Sequence, residues 1–104
     1  MFYEMRTYTI KIGKTQEYLK HFEEVGMPII SKYAKLVGYF YTDIGELNQI
    51  IHIWEYASLD ERKQKRAELY QDPEWIANFL PIAGPMLEKQ ESKIMYGANF
   101  SPIK

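Results

Sequence analysis

Residues 38–56, GYFYTDIGELNQIIHIWEY, read as a β-hairpin whose strands are apolar on both faces. A strand with one wet face alternates polar and apolar side chains, because successive Cβ atoms point to opposite sides of the sheet. Here Ile50, His52, Trp54 and Tyr56 point one way, and Ile51 and Ile53 point the other. Both faces therefore need cover, and a chain of 104 residues has helices enough for one. The second face is expected to pack on another copy of the chain. Covering roughly 100 Å² of apolar surface is worth ~2.5 kcal/mol before the cost of association. Gly45 and Asn48 suit the connecting turn. A loop centred on Glu46 sets Phe40 opposite His52 and Gly38 opposite Trp54, where the missing side chain makes room for the indole.

The flanks supply the remaining elements. Residues 2–11 are rich in aromatic and β-branched side chains and end at Gly13, so they read as a first strand. A helix follows from an N-cap at Thr15, with Tyr18, Phe22 and Val25 at helical spacing. Gly26 and Pro28 are expected to break or kink it, leaving a second short helix to Tyr33. The hairpin strands span residues 36–44 and 49–57. Ser58 and Glu61 have capping-box spacing and open a helix to Gln71, which Asp72-Pro73 stops. A short helical piece carries Trp75, Ile76 and Phe79 before Pro81 and Pro85. Residues 87–96 form a polar last strand, suited to a sheet edge, and residues 97–104 a loop. The order is βαββαβ, the ferredoxin-like α+β arrangement: one antiparallel sheet with helices on one face, in a single domain over 1–104.

Composition narrows the function classes. The chain is 46% hydrophobic, 26% charged and 15% aromatic, with nine tyrosines, an ordinary globular balance with material for aromatic-lined pockets. A net charge of −1 offers no global attraction to nucleic acid. With no cysteine there is no disulfide, thiol nucleophile or thiolate metal site. No apolar run reaches the roughly 20 residues of a membrane span, and the charged N-terminus reads as a strand rather than a signal, so a cytoplasmic protein is expected.

The opening YEMRTYTIKIGK, the central GYFYTDIGELNQIIHIWEY, the capped SLDERKQKRAEL, and DPEWIANFLP followed by EKQESKIMY together resemble the NIPSNAP family, within the dimeric α+β barrel superfamily. The resemblance implies ferredoxin-like subunits whose sheets close into a barrel across a homodimer. It implies no settled activity. The wider superfamily includes cofactor-free monooxygenases, haem-binding and haem-degrading enzymes and small-ring isomerases, with ligands held between helices and sheet. By analogy this places a pocket there and brings in haem as one cofactor to test. The sequence itself carries no phosphate loop, nucleophile elbow, zinc spacing or paired-carboxylate signature.

Within that frame His52 is the leading catalytic candidate, an imidazole able to move a proton or ligate a metal, beside Trp54 and Tyr56 on one face. Its plainer role is a buried, hydrogen-bonded core residue. Arg6 shares a face with Glu4 and Tyr8 on a strand expected beside the second hairpin strand. It is the second candidate, either a fork for an anionic ligand or one half of an ion pair with Glu4 or Glu55. Tyr8, Gly38, Phe40, His52, Trp54 and Tyr56 make up the expected ligand-binding set. His21 on the first helix is an axial-ligand candidate or a surface residue. The run Arg62 to Arg66 is most simply a solvated helix face, although an inward Arg62 or Arg66 would meet a carboxylate-bearing ligand. Two functions remain. One is a small-molecule-binding protein or cofactor-free enzyme for an apolar, aromatic or oxygenated ligand; the other is a non-catalytic dimeric module whose aromatics only pack.

Overall fold

A computed structural model describes residues 1–104. In chain order the elements are β1 (Phe2–Ile10), α1 (Thr15–His21), a π-helical turn (Phe22–Gly26), α2 (Met27–Ile30), β2 (Lys35–Tyr41), β3 (Gln49–Tyr56), α3 (Leu59–Leu69), a second π-helical turn (Trp75–Phe79), α4 (Leu80–Ala83), a 3₁₀ turn (Gly84–Met86) and β4 (Leu87–Met95). The four strands form one antiparallel sheet in the order β2-β3-β1-β4. This is the ferredoxin-like topology expected from the element order.

Local chemistry explains the boundaries. Gly45 and Asn48 both take positive φ in the hairpin loop, at 106° and 62°. Glycine adopts that conformation without steric penalty and asparagine tolerates it. The Ser58 hydroxyl accepts from the Glu61 amide at 3.1 Å, and the Glu61 carboxylate accepts from the Ala57 amide at 2.6 Å, so α3 begins where the capping-box spacing puts it. It ends at Leu69, two residues before the expected Gln71. Thr15 is the first helical residue of α1 rather than its cap, a place held by Lys14 without a side-chain bond. Gly26 and Pro28 do not break the helix. The backbone widens into a π turn instead, and Pro28 sits near the start of α2, where its missing amide costs nothing.

The two π turns pack against each other. A Cβ on Gly26 would lie 2.6 Å from the Phe79 ring, so glycine is what permits this approach. Asp72 joins the same two regions, accepting from Tyr33 Oη at 2.6 Å, Lys32 Nζ at 3.1 Å and the Glu74 amide at 2.9 Å. A single core of 14 buried side chains, among them Tyr8, Tyr18, Phe22, Ile50, Trp54, Trp75 and Phe79, fills the space between the sheet and the helical layer.

The hairpin register departs from expectation. The loop sets Tyr41 opposite Ile50, so Tyr39 pairs with His52 and Phe40 with Ile51, one residue off a loop centred on Glu46, and past Gly38 the ladder slips once more at Val37 to put Leu36 opposite Trp54. This bulge brings Leu36 and Tyr39, three apart, onto the helix side together. Paired with Ile51, Phe40 lies on the outer face and is 56% exposed. It folds back over Gly38, whose missing side chain makes room for this ring, 2.7 Å from the ideal Cβ position, and not for the Trp54 indole. The outer face otherwise presents half-buried Met5, Thr7, Ile51 and Ile53.

Candidate functional site

Register alone assembles the centre of the helix side. The antiparallel pairing sets Glu4 opposite Trp54 and Arg6 opposite His52, and Ser92 of β4 stands on the other side of Arg6. Polar side chains thus meet in the middle of a sheet whose ends are apolar. Their bonding explains how the fold tolerates them.

Glu4 is fully buried and is the hub of this group. Arg62 from α3 donates to both of its oxygens, Nε at 3.0 Å and Nη2 at 2.9 Å, while Arg6 Nη1 donates at 3.0 Å and Ser92 Oγ adds a further bond. Burial by itself pushes this carboxyl up. The bonds from Arg62 and Ser92 and the charges of Arg6 and Arg62 overturn that effect and hold it at about 2. Arg6 uses its remaining reach to donate from Nε to the Tyr8 hydroxyl at 2.9 Å. Of the two ion pairs expected for Arg6, the one with Glu4 forms. Glu55 pairs instead with Lys35.

His52 is 4% exposed, stacked on Tyr39 at 4.8 Å and edge-on to Tyr8 at 4.6 Å. The Trp54 indole donates to its Nδ1 at 2.6 Å. An indole N–H can only donate, so Nδ1 is the bare nitrogen and the neutral ring carries its proton on Nε2. Burial, reinforced by the charge of Arg6 and only partly opposed by Glu4, lowers the imidazole to about 3. The near-neutral imidazole expected from sequence is therefore replaced by a fixed neutral ring, a hydrogen-bond donor at physiological pH rather than a base. Its Nε2 has no partner.

A cavity lies between this group and the helices, lined by Arg6, Tyr8, His52, Trp54 and Tyr56 from the sheet and by Tyr18, Phe22, Arg66, Tyr70, Trp75 and Phe79 from the helical layer. Its free interior is about 40 Å³, room for two or three water molecules. Five of the six expected ligand-binding positions were Tyr8, Phe40, His52, Trp54 and Tyr56, and all of these but Phe40 line it. Gly38, the sixth, does not, since the loop register pairs it with Ile53 and Phe40 with Ile51 on the outer face. The residues that sequence reasoning left out came from distant segments. Trp75, on the short helical piece before Pro81, lines the cavity, and its buried indole N–H has no acceptor. Tyr39, which backs the cavity by stacking on His52, faces inward because of the loop register, which no residue pattern announces.

His21 is elsewhere. It stacks on Phe79 at 5.0 Å and its Nε2 lies 3.1 Å from the Phe79 carbonyl. With one histidine committed to a carbonyl, the other bonded to an indole, and an interior of this size, the residues do not fit haem. No helix is long and apolar enough to cross a membrane.

The NIPSNAP family model matches residues 3–102. The chain belongs to the NIPSNAP family. It is 36% identical over 97 residues to Protein NipSnap homolog 3A of Homo sapiens, a stretch that covers 92% of this chain and 39% of that relative, so this chain spans about two-fifths of its length. A crystal structure of a NIPSNAP family protein with unknown function from Agrobacterium tumefaciens superposes with a TM-score of 0.97 at 47% identity, covering 100% of this NIPSNAP chain and 94% of that one. The structure of an antibiotic biosynthesis monooxygenase superposes with a TM-score of 0.64 at 11% identity, covering 94% of this chain and 99% of that one, a likeness of fold alone.

Proposed function

We propose that this NIPSNAP chain is a homodimeric small-molecule-binding protein that holds an oxygen-bearing ligand with an apolar body in the cavity between sheet and helices. One observation carries the reading. His52 Nε2 and Trp75 Nε1, on two residues that line the same cavity, are buried donors without acceptors. A buried N–H left unpaired costs on the order of 1–3 kcal/mol, and a ligand oxygen would recover it. The aromatic walls suit an apolar or planar body.

The arrangement favours binding and polarising an oxygen over abstracting a proton. No carboxylate lines the cavity, and His52 is too weak a base at neutral pH. The dimer is part of the proposal: exposed Phe40 with Ile51, Ile53 and Met5 makes an apolar outer face that a second copy would cover. The small interior favours a competing reading, in which the aromatics serve packing alone. A ligand larger than a few atoms must push the aromatic lining apart.

Both tryptophans of the chain line the cavity, so intrinsic emission reports on it without a label. Titration with benzamide and other small neutral aromatics should shift that emission saturably, and His52→Ala should weaken the response. An unresponsive emission across the set, with no rise in melting temperature, would leave the packing reading standing.

A further inference from the structure

We infer that the ligand of this cavity is an anion, a small carboxylic acid in its ionised form, with Arg66 supplying the charge that meets it. The inference rests on the binding reading above and adds its charge. In a chain with 14 acidic residues and a net charge of −1, the cavity lining contains Arg6, Lys65 and Arg66 and no carboxylate at all. Nor is the positive charge cancelled from behind. Glu4, the nearest buried anion, is shared between Arg6 and Arg62, so that cluster keeps one positive charge in excess. Lys65 has Glu68 at 3.7 Å, both partly exposed. Arg66 makes no ion pair; its guanidinium lies 5.4 Å from the ring of Tyr70 and reaches that hydroxyl at 3.5 Å, a long contact.

A guanidinium without an anion, on the wall of an aromatic cavity that also holds two unpartnered buried N–H donors, matches the needs of a carboxylate. The planar fork supplies charge and direction, the N–H donors supply the remaining bonds, and rings from both layers cover the hydrocarbon. A phosphate would need more donors than the lining offers and would set its outer oxygens against aromatic rings. A neutral amide of the same shape would satisfy the donors while leaving Arg66 unanswered.

The probes are benzoate and benzamide, which share a shape and differ in charge, titrated against the intact protein at neutral pH with tryptophan emission as the readout. Benzoate is expected to bind at least about tenfold more tightly than benzamide, the ratio that about 1.4 kcal/mol of added interaction gives. Arg66→Gln should weaken benzoate far more than benzamide and so remove that preference, and Arg66→Lys should restore part of it. Added salt should weaken benzoate alone. Equal binding of the two compounds, or a benzoate preference that survives Arg66→Gln, overturns the inference while the pocket stands. Silence toward both compounds overturns the inference and the pocket together.

Discussion

The two faces of the sheet are built from the same strands yet carry different chemistry. On the helix side, β1 and β3 present Glu4, Arg6, His52 and Trp54 in an interlocked, almost fully bonded group beside a small cavity. On the outer side they present Met5, Thr7, Ile51 and Ile53, with Phe40 contributed by β2, and no buried charge. Buried polar groups are worth keeping only when their bonds are complete, so the first face should be rigid and intolerant of change. The second face is non-directional and should tolerate change in the fold while being sensitive in assembly.

Removing the hub should produce the largest effect. Glu4→Ala leaves Arg6 and Arg62 facing each other without their shared anion, and a loss of about 3–5 kcal/mol is expected in urea unfolding. A loss under 1 kcal/mol would mean that the helix side is not organised by this carboxylate. Acid should reveal the same group next. Because Glu4 titrates at about 2 in the fold against an ordinary 4.5, its contribution of about 3 kcal/mol is present above pH 4.5 and lost as pH falls toward 2. His52 acts in the same direction at a higher pH. The fold holds its imidazole neutral, so stability is complete above 6.5 and declines as pH falls toward 3. His52→Gln should flatten the decline between pH 6.5 and 4.5 and leave the steeper one below it.

A third change probes how tightly the helical layer closes over the cavity. Gly26→Ala drives a methyl into the Phe79 ring and should destabilise by about 1–3 kcal/mol, measured by thermal unfolding. The smallest effect on the fold belongs to the outer face. Phe40→Ser should change the stability of the single chain by less than about 1 kcal/mol, yet, for the dimer proposed above, lower the sedimenting mass from twice 12.4 kDa toward 12.4 kDa. A variant that unfolds before it dissociates would erase the contrast between the faces.

How much of this could be read from sequence depended on the range of the signal. The two-faced apolar run Ile50 to Tyr56, the capping pair Ser58 and Glu61, and the turn residues Gly45 and Asn48 are local, and strand order followed from them. The cavity wall was half legible, because Tyr8, His52, Trp54 and Tyr56 belong to regular strands whose faces period two assigns. Tyr39 and Phe40 exchange faces because the hairpin loop sets Tyr41 opposite Ile50, one residue off a loop centred on Glu46, and a one-residue slip turns every side chain of the strand to the other face. The pairing of Arg62 with Glu4, 58 positions away, and the approach of Trp75 to the cavity depend on how the helices dock, which no periodicity records.

The central claim is that ligand chemistry belongs to the helix side of the sheet, and the indole protons test it most directly. The chain has two tryptophans, one indole N–H bonded to His52 and the other without a partner. In a nitrogen–proton correlation spectrum, with the two signals assigned by Trp75→Phe, saturating benzoate is expected to displace the Trp75 indole signal strongly and the Trp54 signal little. Two stationary indole signals, with shifts confined to amides around Phe40 and Ile53, would contradict it.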